Sequence, residues 1–275
     1  MKQLVMTLAA GLVATALMAE VTSVNVVGYN TATLKIGFNQ VGLSFDKVTG
    51  GSMDIQEVIP GTTPGLKMGT SAGSADNIQI WNLGANKYDV YFLHNGSGKN
   101  LASLANKWVK TSTTVPASVA ITPQTGFFYN NINTSNEVVQ IAGQVVGTDP
   151  KTLTIPFGFN MIASPFTSDW WLNNDGPDGK VIINWATSSA RKGTGAGSAD
   201  NITVWNLDAN KYDVYFLHNG SGKNLASLAN KWVKTSTTVP ANVKIAMNQG
   251  FFYVNNSSPE ATLVLTTEVA PYTLE

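Results

Sequence analysis

The chain has 275 residues, of which only 12% are charged, with seventeen basic side chains balanced by seventeen acidic ones and no cysteine. Sparse, dispersed charge excludes the clustered basic face that a nucleic acid or an anionic membrane requires. The absence of thiols excludes disulfide staples, thiol catalysis and cysteine-held metal, while 43% hydrophobic residues leave ample material for a core.

Met1-Lys2 starts the chain positively, Leu4 to Met18 is apolar, and Ala19 precedes Glu20. That order predicts a secretory signal peptide over residues 1–19. The apolar run is short for a membrane span, so the mature chain is expected to have none. It is expected to be exported to the periplasm, the cell surface or the extracellular space.

One long stretch occurs twice. Gly69 to Ala117 returns 124 residues later as Gly193 to Ala241, and only four of its 49 positions differ: Ser71/Gly195, Gln79/Thr203, Ile80/Val204 and Gly84/Asp208. An internal repeat of this size sets the architecture before any local reading. Upstream, Val21 to Ile36 and then QVGLSF read as strands, and Gln144 to Phe166 offers a gapped counterpart. Between these openings and the shared block the copies diverge. Ser52 to Ile59 reads as a short helix capped by Ser52, whereas the second copy has Asp169-Trp170-Trp171-Leu172, an Asn/Asp/Gly turn and VIINW.

Inside the block, Ile78, Ile80 and Asn82 alternate with Gln79, Trp81 and Leu83, and Tyr88, Val90 and Phe92 alternate with Lys87, Asp89 and Tyr91. Asn95-Gly96-Ser97-Gly98 is a turn, one helical turn is expected near Leu101 to Ala105, and KWVKT resumes a strand. About eight short strands per copy predict an all-β protein: two tandem homologous β-sandwich or barrel-like repeats, residues 20–143 and 144–275, after the signal peptide.

The order GFNMIASPF, a central I-x-V/I-W-N strand, a Tyr-rich strand and a terminal G-F-F segment resembles an uncharacterised repeat of secreted proteins from Verrucomicrobia-like bacteria. It is more loosely similar to modules of Bacteroidetes surface proteins. The first copy departs from the pattern with Leu43-Ser44-Phe45 where the second has Ser164-Pro165-Phe166. The resemblance implies fold and export and carries no catalytic motif.

No residue pattern announces chemistry. His94 and His218 end matching strands without an adjacent nucleophile and acid. GTSAGSADN lacks the Lys-Ser/Thr of a phosphate loop, and Asp175 to Gly179 has too few acids for calcium. No catalytic residue, metal or cofactor is therefore expected. The aromatics are the better candidates: Trp81 and Tyr91, repeated as Trp205 and Tyr215, with Trp108 and Trp232 between lysines. Such rings beside Asn and Asp can form platforms for a glycan or surface polymer, although they also suit a half-buried sheet. The expected function is a non-enzymatic structural or interaction protein, with carbohydrate binding through duplicated aromatic platforms as the alternative. The tail, with Glu268-Val269-Ala270 and Thr273-Leu274, resembles the start of a third unit and suggests head-to-tail self-association. The signal-peptide reading predicts that protein recovered from an exported fraction begins at or near Glu20, which N-terminal sequencing and intact mass would check.

Overall fold

The computed structural model describes residues 26–173, 180–258, 261–268 and 270–273. The expected signal peptide, the acidic turn from Asp175 to Gly179, and Val269, Leu274 and Glu275 of the tail lie outside these residues. Among them no helix is long and apolar enough to cross a membrane.

The described chain is all-β. Its first ten strands are β1 (Val27–Leu34), β2 (Gly37–Gly42), β3 (Phe45–Asp46), β4 (Met53–Asp54), β5 (Asn77–Asn82), β6 (Lys87–His94), β7 (Lys107–Lys110), β8 (Ala120–Ile121), β9 (Gly126–Asn131) and β10 (Glu137–Val145). They are followed by β11 (Thr152–Ile155), β12 (Gly158–Ile162), β13 (Trp170–Trp171), β14 (Asn201–Asn206), β15 (Lys211–His218), β16 (Lys231–Lys234), β17 (Lys244–Ile245), β18 (Phe251–Asn255) and β19 (Leu263–Thr266). Two five-stranded sheets are wired alike, in the orders β2-β9-β5-β6-β7 and β12-β18-β14-β15-β16, and neither closes into a barrel. Smaller sheets face them: β1-β10-β3 and β4-β8 in the first half, β11-β19 and β13-β17 in the second.

Each half has its own core because strand alternation sends one face of the five-stranded sheet inward. In the first, Ile78, Tyr91, Leu93, Trp108, Phe127 and Tyr129 meet Leu34, Val139 and Ile141 of the facing sheet. In the second, Ile202, Tyr215, Leu217, Trp232, Phe251 and Tyr253 meet Leu153, Ile155, Leu263 and Leu265. The outer faces of β6 and β15 are covered too. Ala72 and Ala75 of the Gly-rich stretch, with Leu101 and Leu104, pack on Phe92 and Val109, and the second half repeats this around Phe216. That stretch is therefore a cover for the sheet. Strand β10 runs through residues 143 to 145, with Gln144 and Val145 paired to Asp46 and Phe45, and Val146 then enters the second core.

The divergent segments differ from the sequence expectation in detail. The helix, α1, is only Ile55–Val58, and Asp54 rather than Ser52 caps it, in a reciprocal box with Glu57. An acid two residues before the second amide fits that role better than a serine two residues too early. Beyond these differences the two segments do the same job. Gln56 donates its amide to the carbonyls of Trp108 (2.8 Å) and Ala117 (3.0 Å) and accepts from the Trp108 N–H (3.0 Å). Asn173, from an unrelated stretch, donates to Trp232 and Ala241 (both 2.8 Å) and accepts from the Trp232 N–H (2.7 Å).

The halves are joined along a seam of reciprocal contacts, the pattern of a twofold interface. Val41 bridges Gln249, and Ile162 bridges Thr125. The Gly42 N–H donates to the Asn248 carbonyl (2.8 Å), and the Ala163 N–H donates to that of Gln124 (2.8 Å). The chains pass so closely that a Cβ on Gly126 would sit 2.5 Å from the Ile162 oxygen, and one on Gly250 would sit 2.5 Å from the Val41 oxygen. Backbone cannot yield there as a flexible side chain would. Gly126→Ala should accordingly lower stability by about 1–3 kcal/mol. Gly73→Ala, where nothing lies within 4 Å, should stay within about 0.5 kcal/mol, both measured by denaturant unfolding.

Candidate functional site

The antiparallel register of β5 and β6 pairs Trp81 with Tyr88 and Ile78 with Tyr91. Trp81 and Tyr91 therefore point to opposite faces of the sheet, which overturns their expected role as one platform. Tyr91 joins the first core, and Tyr215 joins the second for the same reason. Trp108 and Trp232 are 0% exposed, so their rings have no face to offer a ligand. Trp108 also spends its indole N–H on the Ile59 carbonyl (2.7 Å). The neighbouring lysines had suggested exposure, but in a strand adjacent residues face opposite ways and say nothing of each other's burial.

Trp81 and Trp205 remain, and the seam brings them together. The outer faces of the two sheets meet through buried Phe128, Met161 and Phe252, with half-buried Trp81, Tyr88 and Trp205 against them. Tyr88 stands edge-on to Trp81 at 5.0 Å, and Tyr212 edge-on to Trp205 at 4.8 Å. Phe38 leans on Phe128 and Phe159 on Phe252, at 5.8 and 5.9 Å. Sequence reasoning passed over these two phenylalanines. Each follows a glycine of positive φ (Gly37, +89°; Gly158, +92°), a hairpin signal that places an apolar side chain beside the sheet face.

Two cavities open on this cluster. One, of about 200 Å³, is lined by Phe38, Gln79, Tyr88, Phe128, Trp205 and Tyr212. The other, of about 310 Å³, is lined chiefly by Phe159, Thr203, Tyr212, Phe252, Trp81 and Tyr88. They are counterparts: each takes its tryptophan from the half opposite to its phenylalanines. They share Tyr88 and Tyr212 as walls and so flank one aromatic cleft region at the seam, with Phe38 42%, Phe159 52% and Tyr212 39% exposed. Burial, and then the neighbouring Tyr212, push the Tyr88 phenol up to about 12, and burial raises Tyr212 as well. Both hydroxyls are therefore hydrogen-bond donors at neutral pH.

The seam also carries asymmetric polar contacts. The Trp81 indole N–H donates to the Phe159 carbonyl (2.8 Å), the Trp205 backbone N–H donates to Gln40 Oε1 (2.6 Å), and Lys35 pairs with Asp208 at 2.7 Å. Of the four differences within the duplicated block, Gln79/Thr203 lies in the cavity linings and Gly84/Asp208 at an exposed ion pair between the halves.

The acids and histidines sit elsewhere. His94 and His218 are buried, and each accepts the N–H of the second residue onward at Nδ1 (2.8 Å), which fixes the strand-end turn. Among the described residues no group of three His, Cys, Asp or Glu is placed to hold a metal. The described part of the tail is held by its own half: the Ala270 N–H donates to the Thr148 carbonyl and the Tyr272 hydroxyl to that of Val146.

One acid pair is chemically distinctive. Glu137, 4% exposed, accepts from the Tyr129 hydroxyl (2.9 Å) and Asn133 (3.0 Å). Asp76 beside it accepts from the Lys67 and Ile132 N–H groups (2.6 and 3.0 Å). Burial foremost, with Asp76 adding repulsion, pushes Glu137 up to about 7. The second half keeps the Tyr253–Asp200 bond (3.0 Å) but has Leu263 in place of the glutamate, since Leu263 faces Ile155 across the ladder as Glu137 faces Leu34. Below pH about 4.5 the Glu137 carboxyl is protonated in folded and unfolded chains alike, and its burial costs little. As pH rises through about 7 the unfolded chain releases the proton more readily, so stability falls. Glu137→Gln should flatten this decline and raise the unfolding midpoint at pH 8 without raising it at pH 4, as read by thermal unfolding at both values.

No family model, curated protein or solved structure matches the chain, so the geometry of the seam and its cleft is the ground on which a function must be argued.

Proposed function

We propose that the chain is an exported, non-enzymatic structural or interaction protein of the cell envelope or surface. It consists of two homologous β units, residues 20–143 and 144–275, clamped into one body. The observation that carries this reading is the reciprocal seam: the duplicated outer faces are spent on each other through backbone pairing, which turns two repeats into a rigid composite surface. A module built to present a surface needs such rigidity, because ordering loose units on binding would cost affinity.

A second reading, carbohydrate binding, is favoured by the cleft itself. Its rings are partly exposed, and no Asp, Glu, Lys or Arg lines either aromatic cavity among the described residues. Aromatic faces stack on the C–H faces of sugar rings, while Gln79, Thr203 and the two tyrosine hydroxyls can meet hydroxyls at the ring edges. The binding face is then single and lies at the seam. Retention of the mature chain on insoluble neutral polysaccharides and on isolated cell envelope tests both readings. Trp205→Ala and Tyr212→Ala should each weaken polysaccharide retention by roughly tenfold, an effect of about 1.4 kcal/mol. Retention on envelope but not on polysaccharide would leave the interaction reading and remove the carbohydrate one. Retention on neither would remove both.

A further inference from the structure

We infer that the cleft is one site with two unequal subsites, in which a single neutral glycan segment spans Tyr88 and Tyr212 and is oriented by Gln40. This rests on the carbohydrate reading above and specifies how the ligand lies.

The inequality is built from residues that break the reciprocity of the seam. Gln40 on β2 corresponds to Met161 on β12. Gln40 is 8% exposed, and its Oε1 accepts from the Trp205 N–H, which sets the orientation of the amide. Its Nε2 is buried and has no hydrogen-bond partner in the protein. An amide donor left unmet in this way costs on the order of the desolvation of the group, and a ligand oxygen that meets it once the Gln40 side chain turns into the cavity it lines would recover that cost. Gln40 lines a third cavity, of about 180 Å³, with Asn39, Asn248, Gln249 and Trp205 among its walls. Trp205 thus lines both an aromatic cavity and a carboxamide-walled one. Trp81, its counterpart, borders the larger aromatic cavity, whose lining includes Thr203 where the other has Gln79.

The chemistry selects among occupants. An ionic ligand finds no counter-charge, since no Asp, Glu, Lys or Arg lines any of the three cavities among the described residues. An alkyl chain suits the rings but leaves the Gln40 donor unmet. A sugar ring supplies both an apolar face and acceptor oxygens. Reciprocity supplies a further argument: two subsites related by a twofold present the same groups in opposite senses, whereas a glycan chain has one direction. Identical subsites could not both read such a chain in register. Gln40/Met161 and Gln79/Thr203 relieve that conflict by making one end a polar reader and the other an apolar rest.

The test is calorimetric titration of the mature chain with soluble neutral hexasaccharides: β-1,4-glucose, β-1,3-glucose, β-1,4-mannose and α-1,4-glucose. One of these should bind with one ligand per chain. Gln40→Met, which installs the counterpart's residue, and Gln40→Glu, which keeps the acceptor for the Trp205 N–H, should each weaken binding about 3- to 10-fold. Met161→Gln should not. Should both Gln40 variants unfold, the Gln40 side-chain amide of the unsubstituted protein must instead show the largest side-chain amide shift in NMR on saccharide addition. Two ligands per chain, equal loss from the Gln40 and Met161 variants, or an amide that does not move would overturn the inference while leaving carbohydrate binding in place. Failure of all four saccharides to bind, or binding of an alkyl maltoside through its tail alone, would overturn the carbohydrate reading and this inference with it.

Discussion

Two backbone crossings govern the arrangement of this molecule: Gly126 against the Ile162 carbonyl and Gly250 against that of Val41. At each, a strand end of one half runs so close to the start of a strand of the other that no side chain fits between. The aromatic cluster, the two cavities and the unequal polar contacts all lie beside these crossings. Separate the halves by the width of a methyl group and Phe128 no longer reaches Phe252, whose rings now stand 6.3 Å apart. The close approach of main chain thus comes first, and the apolar contacts elaborate it.

Much of the fold was legible from residue patterns. Alternation through Asn77–Asn82 and Lys87–His94, with Asn-Gly-Ser-Gly turns between runs, predicts the strands that form, and the two copies of the block lie in sheets of like strand order. Alternation says which residues share a face within one strand. It does not say which face of the next strand joins it, because that depends on register. Trp81 was accordingly matched with Tyr91, when the hairpin sets it against Tyr88. Trp108 and Trp232 were open to either reading, since a lysine on each side of a strand residue is compatible with full burial between sheets.

The seam was the least legible feature. Nothing in the local sequence marks a glycine that must admit another backbone from one that merely ends a turn; Gly73 and Gly126 look alike until the second half is in place. Glu137 poses the same difficulty. Its position on an alternating strand suggests a solvent-facing acid, but Val139 and Ile141 share its face and point into the core, so the carboxyl is carried inward with them. Its counterpart, Leu263, is apolar and carries no such burden.

The paired roles of Gln56 and Asn173 have a consequence for how such a chain can change. Each braces the edge strand of its own half through three hydrogen bonds, yet one arrives from a capped helix and the other from a segment with no resemblance to it. The scaffold asks this region for a single carboxamide at one point in space and is indifferent to the route by which it comes. Exchange of the whole segment is therefore compatible with the sheet, so long as one primary amide reaches this point.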